Sequence, residues 1–393
     1  MKIALVIIFI FIMHFFIFIS ENNATISKSD KKKKSYSSKK NKLKEFNEYE
    51  NLELNIKQEI IENALKYSKK LKDVKTFTNG STLAYVTPWN NYGYDIAKLF
   101  TNKFSFISPV WLGISYDGNN FLITGSRDID VKWIMDMKSK NPNVKIVPRL
   151  LFENWSQSTF SNVMRSEYII SKCIESITRF LMKYNFDGVV IEMWLQVGAY
   201  SKYDSHHFAK HFGQDLKMKN LLFILAIPPP VYSGNHEGYF NDHDFGEILN
   251  SVDYFSLMTY DYSNPQNPGP NAPLEWMKGC VELLEPTGNK LLRSKILLGL
   301  NFYGYMYSFN ENKAIIRHEF IDILKRAQKV TVEWHKDVKE HEFKIKNSDG
   351  SLSTVWYPTQ QSVEMRIKLA EMLGVGISIW EIGQGLDYFY DIL

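Results

Sequence analysis

The chain has 393 residues, of which 45% are hydrophobic, 15% aromatic and 23% charged. This composition excludes a disordered chain, a collagen, a coiled coil and a small disulfide scaffold. The formal net charge is +4, to which residues 28–44 contribute +8 and residues 1–27 nothing, so residues 45–393 carry −4. Because the basic charge belongs to one tail and the body is mildly acidic, we expect no nucleic-acid partner.

The first 20 residues are typical of a secretory signal peptide. Lys2 precedes an apolar run from Ala4 to Ile19 that only His14 interrupts. A spanning helix needs about 20 apolar residues. We therefore expect cleavage, a secreted or lysosomal protein and no stable membrane insertion; an uncleaved anchor is the alternative. Three sequons are candidates for glycosylation in that pathway: Asn23, Asn79 and Asn154.

Residues 21–50 form a lysine-rich segment that cannot bury a core, and we expect a flexible tail. Its possible partners are an anionic polymer or a sorting receptor. Residues 51–79 comprise an amphipathic helix and a linker, because apolar residues recur there at helical spacing. This helix is expected to dock on the body that follows.

From residue 80 to residue 393, short apolar runs alternate with helix-like segments. The eight runs are Thr82–Thr87, Phe104–Trp111, Val144–Leu151, Gly188–Trp194, Leu221–Ile227, Asp253–Tyr260, Lys295–Tyr303 and Gly374–Trp380. The helix candidates include Asp128–Lys138, Ser166–Tyr184, Asp204–Met218, Asp242–Ser251, Leu274–Leu284 and Thr359–Leu373. Strands that are apolar on both faces indicate a covered parallel sheet. Eight such units predict an α/β fold, the (β/α)8 TIM barrel. A doubly wound sheet is the alternative, but no Gly-x-Gly-x-x-Gly follows the first strand.

One unit is longer than the others. Between the seventh and eighth strands, about residues 305–360 contain strand-like segments around the turn signal Asn347 to Gly350. The sequence therefore predicts a small β-rich insertion at this point of the barrel.

Tryptophans concentrate at the predicted strand ends, where a barrel of this kind carries its active site. Five of the nine occupy such positions: Trp89, Trp111, Trp155, Trp194 and Trp380. Flat apolar rings flanked by polar groups suit the faces and hydroxyls of sugars. We therefore predict an oligosaccharide ligand at this rim.

Three motifs resemble those of glycoside hydrolase family 18, the chitinases, and more narrowly its chitinase-like lectins. They are FDGVVIEMW at 186–194, LMTYDY at 257–262 and GISIWEIGQG at 376–385. The resemblance covers about residues 80–393. It implies that Tyr260 and Asp261 contact sugar and that Trp380 forms the floor of the central subsite.

The first motif departs from the family's strand-four pattern, Asp-Gly-x-Asp-x-Asp-x-Glu. Its functional positions are Asp187, Val190, Glu192 and Trp194. The resemblance therefore puts Trp194 in the general-acid position, and an indole has no proton to give at useful pH. Glu192 is expected on the same strand face, about 6.6 Å deeper, where it holds either ligand or a neighbouring residue. We expect both residues in the sugar site and no catalytic residue.

Three functions follow from this pattern. The first is a chitinase-like carbohydrate-binding protein without hydrolase activity. The second is a hydrolase that uses a displaced carboxylate, with these candidates: Glu153, Glu192, Asp261 and Glu381. The third is an interaction protein that uses the barrel as a scaffold.

The remaining candidate groups favour structural roles. His206, His207 and His211 lie in a lysine-rich helical stretch without a carboxylate triad, so we expect a solvated face, no metal site and no cofactor. Cys173 and Cys280 are expected as buried thiols, with a single disulfide as the alternative. A buried Arg149 would need a carboxylate partner, and Glu153 and Glu192 are the candidates.

Overall fold

The computed structural model describes residues 56–197, 201–309 and 311–393. The predicted signal peptide, the lysine-rich tail and the sequon at Asn23 lie outside these ranges. Within them, no helix combines the length and the apolar character that crossing a membrane would require.

Sixteen strands form two sheets in the described residues. In chain order they are β1 (Thr82–Val86), β2 (Phe106–Pro109), β3 (Leu112–Tyr116), β4 (Phe121–Thr124), β5 (Lys145–Ile146), β6 (Arg149–Phe152), β7 (Gly188–Glu192), β8 (Leu222–Ile227), β9 (Tyr254–Leu257), β10 (Ile296–Asn301), β11 (Gly304–Ser308), β12 (Asn312–Ile315), β13 (Lys329–His335), β14 (Glu340–Lys346), β15 (Leu352–Trp356) and β16 (Gly376–Trp380). Each of the eight predicted apolar runs contains at least one strand of the larger sheet.

The larger sheet closes into a barrel. Its order is β4-β3-β6-β7-β8-β9-β10-β16-β1-β2-β5. β2 and β3 are two halves of the second barrel strand, and β5 and β6 are two halves of the third, which is broken at Pro148 because proline lacks an N–H. The second barrel strand pairs with the third at both ends of this order, because β2 pairs with β5 and β3 pairs with β6. The sheet is therefore closed. The predicted (β/α)8 barrel is confirmed.

Helices cover the outside of the barrel. They are α1 (56–63), α2 (Asn91–Leu99), α3 (Val131–Lys140), α4 (Gln157–Met164), α5 (Glu167–Lys183), α6 (Trp194–Val197), α7 (Lys202–Met218), α8 (Asp242–Ile248), α9 (Leu274–Leu284), α10 (Lys290–Arg293), α11 (Arg317–Arg326) and α12 (Gln360–Leu373). The apolar core consists of two clusters. The larger one contains residues from the helices and the strands. The smaller one, which includes Leu83, Val190 and Ile224, contains strand residues without helix residues.

The N-terminal helix α1 packs on the barrel. Ile60 and Ala64 are buried in the large apolar cluster. The carbonyl of Ala64 accepts a hydrogen bond of 2.9 Å from the Asp387 N–H. The Ser68 N–H donates to the carboxylate of Asp391, at 2.9 Å. These contacts connect the start of the described chain to its last turn.

The insertion between β10 and β16 is a second sheet, as predicted. Five antiparallel strands lie in the order β12-β11-β15-β14-β13, and α11 lies between β12 and β13 in the chain. The turn predicted at Asn347 to Gly350 connects β14 to β15. Gly350 has a φ of +86°, a conformation that glycine adopts without the steric cost of a Cβ atom.

Candidate functional site

An ion pair lies inside the barrel near the end of the fourth strand. Arg149, at the start of β6, places its Nη1 atom 3.2 Å from Oε2 of Glu192, the last residue of β7. The two side chains are 11% and 27% exposed, so the pair is largely withdrawn from water. The structure thus selects Glu192 over Glu153 as the partner of Arg149. Glu153 instead accepts a hydrogen bond of 2.8 Å from the Thr124 hydroxyl.

An aromatic wall lies at the junction of the first and eighth strands. The ring of Trp380, at the end of β16, is half-buried and lies 5.2 Å from the ring of Tyr85 in β1. The Tyr85 hydroxyl donates to Ser256 Oγ in β9 at 2.9 Å, across the barrel. Burial raises the pKa of Tyr85, so its hydroxyl keeps its proton as a donor.

Asp261 follows the sixth strand and forms the acidic centre of the mouth. Its carboxylate accepts hydrogen bonds from the hydroxyls of Tyr303 and Tyr305, the latter at 3.1 Å. Its N–H donates to Asn271 Oδ1 at 2.7 Å, which fixes its backbone at a φ of +60°. Asp261 is exposed, and desolvation by the surrounding protein atoms raises the pKa of its carboxyl group.

Tyr260 adjoins this centre. Its ring lies 6.3 Å from that of Tyr303 in an edge-to-face arrangement, and burial raises its pKa. A Cβ atom on Gly299 of β10 would lie 3.0 Å from Tyr260 Cε1 and 2.3 Å from the Leu257 carbonyl oxygen. The neighbouring strand therefore needs glycine at this position.

The prediction that Trp194 faces the barrel interior is wrong. Strand β7 ends at Glu192, and Trp194 begins the short helix α6. Its fully buried ring packs edge-to-face on Phe240 and lies 5.7 Å from the ring of His206 in α7. Its indole N–H donates to the Tyr239 carbonyl at 3.1 Å. Both faces are thus covered by protein, and Trp194 offers no surface to a sugar.

Trp111 and Trp155 are also core residues and not sugar platforms. Trp111 donates its indole N–H to the Tyr94 hydroxyl at 2.7 Å and packs beside Trp133. Trp155 donates to the Ile114 carbonyl at 2.9 Å and packs on Phe152. Both rings are nearly inaccessible to water. The prediction that these two tryptophans bind sugar is therefore wrong.

The other predicted positions are distributed over the barrel. Val190 lies in the inner apolar cluster, while Asp187 directly precedes β7, and Lys138 Nζ is 2.9 Å from its carboxylate. Trp89 follows β1 and is 62% exposed. Glu381 is fully buried; it accepts hydrogen bonds from the Asn90 side chain and the Gly383 N–H and so cannot contact a ligand.

Both cysteines are free, buried thiols. Burial raises the pKa of Cys173 and of Cys280. Neither is activated as a nucleophile, because the thiolate is disfavoured in an apolar environment.

The motifs did not reveal three residues that shape the mouth: Tyr85, Tyr303 and Tyr305. The signal for Tyr85 was the two-residue alternation of strand β1, which puts its side chain on the same face as Leu83. Tyr303 is the last residue of the seventh predicted run, but no comparable signal identified Tyr305, and the two tyrosines meet Asp261 only through the fold.

A family model described as glycosyl hydrolases family 18 matches residues 81–385. The chain belongs to this family. Two curated proteins that it resembles are a cortical fragment-lytic enzyme of Bacillus anthracis, 24% identical over 250 residues, and a probable chitinase 2 of Drosophila melanogaster, 24% identical over 181. The first alignment covers 60% of this chain and 57% of the relative, and the second covers 43% and 36%.

Solved structures show the same fold. A chitinase from Chromobacterium violaceum superposes with a TM-score of 0.67 at 20% identity, covering 80% of this chain and 98% of that one. The spore cortex-lytic enzyme SleL of Bacillus megaterium superposes with a TM-score of 0.66 at 18% identity, covering 80% and 72%. The chain spans little more than half the length of the Bacillus anthracis relative. The likeness to the solved structures establishes the fold.

Replacing Arg149 with methionine should destabilise the fold by about 1–2 kcal/mol, because it leaves the Glu192 carboxylate without its cation. Loss of one partner from a fully buried pair costs about 3–5 kcal/mol, and the remaining solvent contact of Glu192 reduces that figure. The double variant Arg149→Met/Glu192→Met should recover most of the loss in urea unfolding. The matched control is Lys210→Met in the exposed Lys210–Glu247 pair, which should change stability by less than about 0.5 kcal/mol. A double variant no more stable than Arg149→Met would contradict this account of the pair.

Proposed function

We propose that the protein binds chitin-type oligosaccharides at the barrel mouth and does not hydrolyse them. The observation that carries the proposal is the pair of residues found where the family motif ends on the fourth strand, Glu192 and Trp194. Its one carboxylate at the mouth, Glu192, has Oε2 3.2 Å from the Arg149 guanidinium. The residue two positions later, Trp194, is buried behind the barrel wall.

Glycoside cleavage needs a proton donor within about 3 Å of the glycosidic oxygen. In the described part of the fourth strand, the one carboxyl group is that of Glu192, and it lies against the Arg149 guanidinium. Glu192 is the last residue of that strand, and the segment that would carry an acid beyond it turns into helix α6. The barrel therefore retains the walls of a sugar site without the acid that the family motif places there.

The residues that would hold the sugar come from three strand ends. Trp380 presents a half-buried ring beside Tyr85, as a platform for an apolar sugar face. Tyr260 and Asp261 follow β9, which only β10 separates from β16, and they supply polar groups two strands away from that platform. Trp89, which is exposed at the end of β1, can extend the aromatic surface. This combination of apolar faces and a few oriented polar groups is typical of ligand sites.

One observation favours hydrolysis as a second candidate. Asp261 is exposed at the mouth, desolvation raises the pKa of its carboxyl group, and a raised pKa is what a carboxyl group needs in order to act as a general acid near neutral pH. The similar curated proteins include one named as a lytic enzyme and one as a probable chitinase. In this alternative, Asp261 is the displaced acid, with Tyr303 and Tyr305 holding its carboxyl group in place.

Chromatography of N-acetylglucosamine oligomers incubated with the protein distinguishes the two functions. We expect product at the background level for the wild type, for Asp261→Asn and for Glu192→Gln. The matched control is Glu311→Gln, an exposed acid in the insertion. Product that the wild type and Glu311→Gln release but Asp261→Asn does not would overturn the binding proposal in favour of a displaced acid. Loss in Glu192→Gln alone would assign the acid to Glu192.

We also propose that the protein acts in the secretory pathway. The support is the predicted signal peptide, which lies outside the described residues, together with the two sequons at Asn79 and Asn154. Both asparagines are at exposed positions, where a glycan could be attached.

A further inference from the structure

The three histidines of helix α7 occupy two different environments. His206 is buried, and its Nε2 atom lies 2.9 Å from Asp244 Oδ1. His207 and His211 lie one turn apart on the face of α7 that meets Glu167, the first residue of α5. The carboxylate partner that the local sequence lacked thus comes from a different helix.

The three side chains converge on one point. His207 Nε2 lies 2.5 Å from Glu167 Oε1, and His211 Nδ1 lies 3.5 Å from Glu167 Oε2. One ligand atom from each residue lies within 4.8 Å of the other two. Ligands of a tetrahedral zinc ion, each about 2.0–2.2 Å from the metal, are about 3.4 Å apart. Small rotations of exposed side chains bring the three atoms to that spacing.

We propose that Glu167, His207 and His211 bind a divalent transition metal, with zinc as the preferred ion. Two imidazoles and one carboxylate are ligands that zinc accepts, and two histidines four residues apart on a helix present their rings to the same side. The histidine side chains are 37% and 40% exposed, so a water molecule can fill the fourth position.

One unsatisfied atom supports this site. His211 Nδ1 is shielded from water and has no hydrogen-bond partner in the described part of the chain. Buried polar atoms without partners are rare and call for an explanation such as a bound ion.

Two other groups of potential ligands are less suited to a cation. In the group of His206, His243 and Asp244, the Asp244 carboxylate already lies 2.6 Å from Lys202 Nζ. In the group of Glu333, His335 and Glu342, Lys344 Nζ lies 2.8 Å from Glu333. A lysine ammonium at either place repels a metal ion. The Glu167 carboxylate, by contrast, has no lysine or arginine partner in the described ranges and lies beside the two histidines.

Calorimetric titration of the untagged, chelator-treated protein with zinc chloride tests the proposal. We expect one site, and we expect His207→Ala and His211→Ala each to weaken zinc binding more than tenfold. Glu167→Gln should weaken it as well, because the amide is a poor zinc ligand. Cobalt(II) should give the visible absorption of a four-coordinate site in the wild type and lose it in the variants. The matched control is His318→Ala, an exposed histidine in helix α11, which should bind zinc as the wild type does.

Because α5 and α7 would share one ion, zinc should also raise the melting temperature of the wild type and not that of His211→Ala. Circular dichroism checks that each variant is folded. The proposal is overturned if the wild type shows no zinc binding at 100 µM. It is also overturned if His207→Ala and His211→Ala bind zinc like the wild type, or if binding disappears in His243→Ala and persists in both of them.

Discussion

Replacing Trp380 with alanine should weaken the binding of neutral chitin-type oligosaccharides by about 5–150-fold. The ring is half-buried at the end of β16, where it packs beside Tyr85 and remains partly accessible to a ligand. Stacking on an indole removes about 50–100 Å² of apolar surface from water, which corresponds to roughly 1–3 kcal/mol. Since about 1.4 kcal/mol is a factor of ten, the dissociation constant from calorimetric titration should rise accordingly.

Two further variants make this result specific. Trp380→Phe should retain most of the affinity, because a flat apolar face remains. Trp334→Ala removes a half-buried tryptophan in the insertion sheet and should leave binding unchanged. Added salt should have little effect on the affinity, because stacking involves no ion pair that salt could screen. If Trp380→Ala binds as tightly as the wild type, the sugar site does not lie at this rim.

The stability of the wild type relative to Glu381→Gln should fall as the pH rises. Glu381 is fully buried beside Trp380 and accepts a hydrogen bond of 3.0 Å from the Gly383 N–H. Burial raises the pKa of its carboxyl group from 4.5 to about 7, while the hydrogen bonds from Gly383 and Asn90 oppose this shift. The folded protein therefore holds a proton at Glu381 that the unfolded chain releases.

A raised folded-state pKa gives a stabilising contribution that is complete below the unfolded pKa of about 4.5 and is lost as the pH rises through 7. A shift of this size corresponds to about 3 kcal/mol. Urea unfolding at pH 4.5 and pH 8 should show that difference in the free energy of unfolding between wild type and Glu381→Gln. Glu371→Gln, at an exposed position of α12, should follow the wild type at both values. If the free energies of unfolding of the wild type and of Glu381→Gln changed by the same amount between the two pH values, the Glu381 carboxylate would already be ionised in the folded state.

Much of the barrel could be predicted because its strands are apolar on both faces. All eight runs became strands, and helix α9 has the predicted bounds, Leu274–Leu284. The insertion was predictable from the turn at Asn347 to Gly350. The breaks within the second and third strands were not predicted, although Pro148 lies at one of them.

The candidate site was predicted less completely, because side chains alternate between two faces only while the backbone stays an extended strand. Val190 and Glu192 do share a strand face, but the strand ends there and helix α6 rotates Trp194 away from the mouth. Trp111 and Trp155 show a related limit. Trp155 does follow a strand, but Trp111 lies at the break within the second barrel strand, and their N–H groups pair with Ile114 and Tyr94 in the core. Sequence position does not reveal which face a ring takes beyond a strand end.

The central claim, binding without cleavage, is tested most directly by one sample analysed twice. The wild-type protein is titrated with a tetramer of N-acetylglucosamine in a calorimeter, and the sugar is then recovered and chromatographed. We predict saturable binding to one site and recovery of intact tetramer. Saturable binding with release of shorter oligomers above the level of a protein-free control would contradict the claim. An absence of binding heat together with unchanged sugar at millimolar tetramer would contradict it as well.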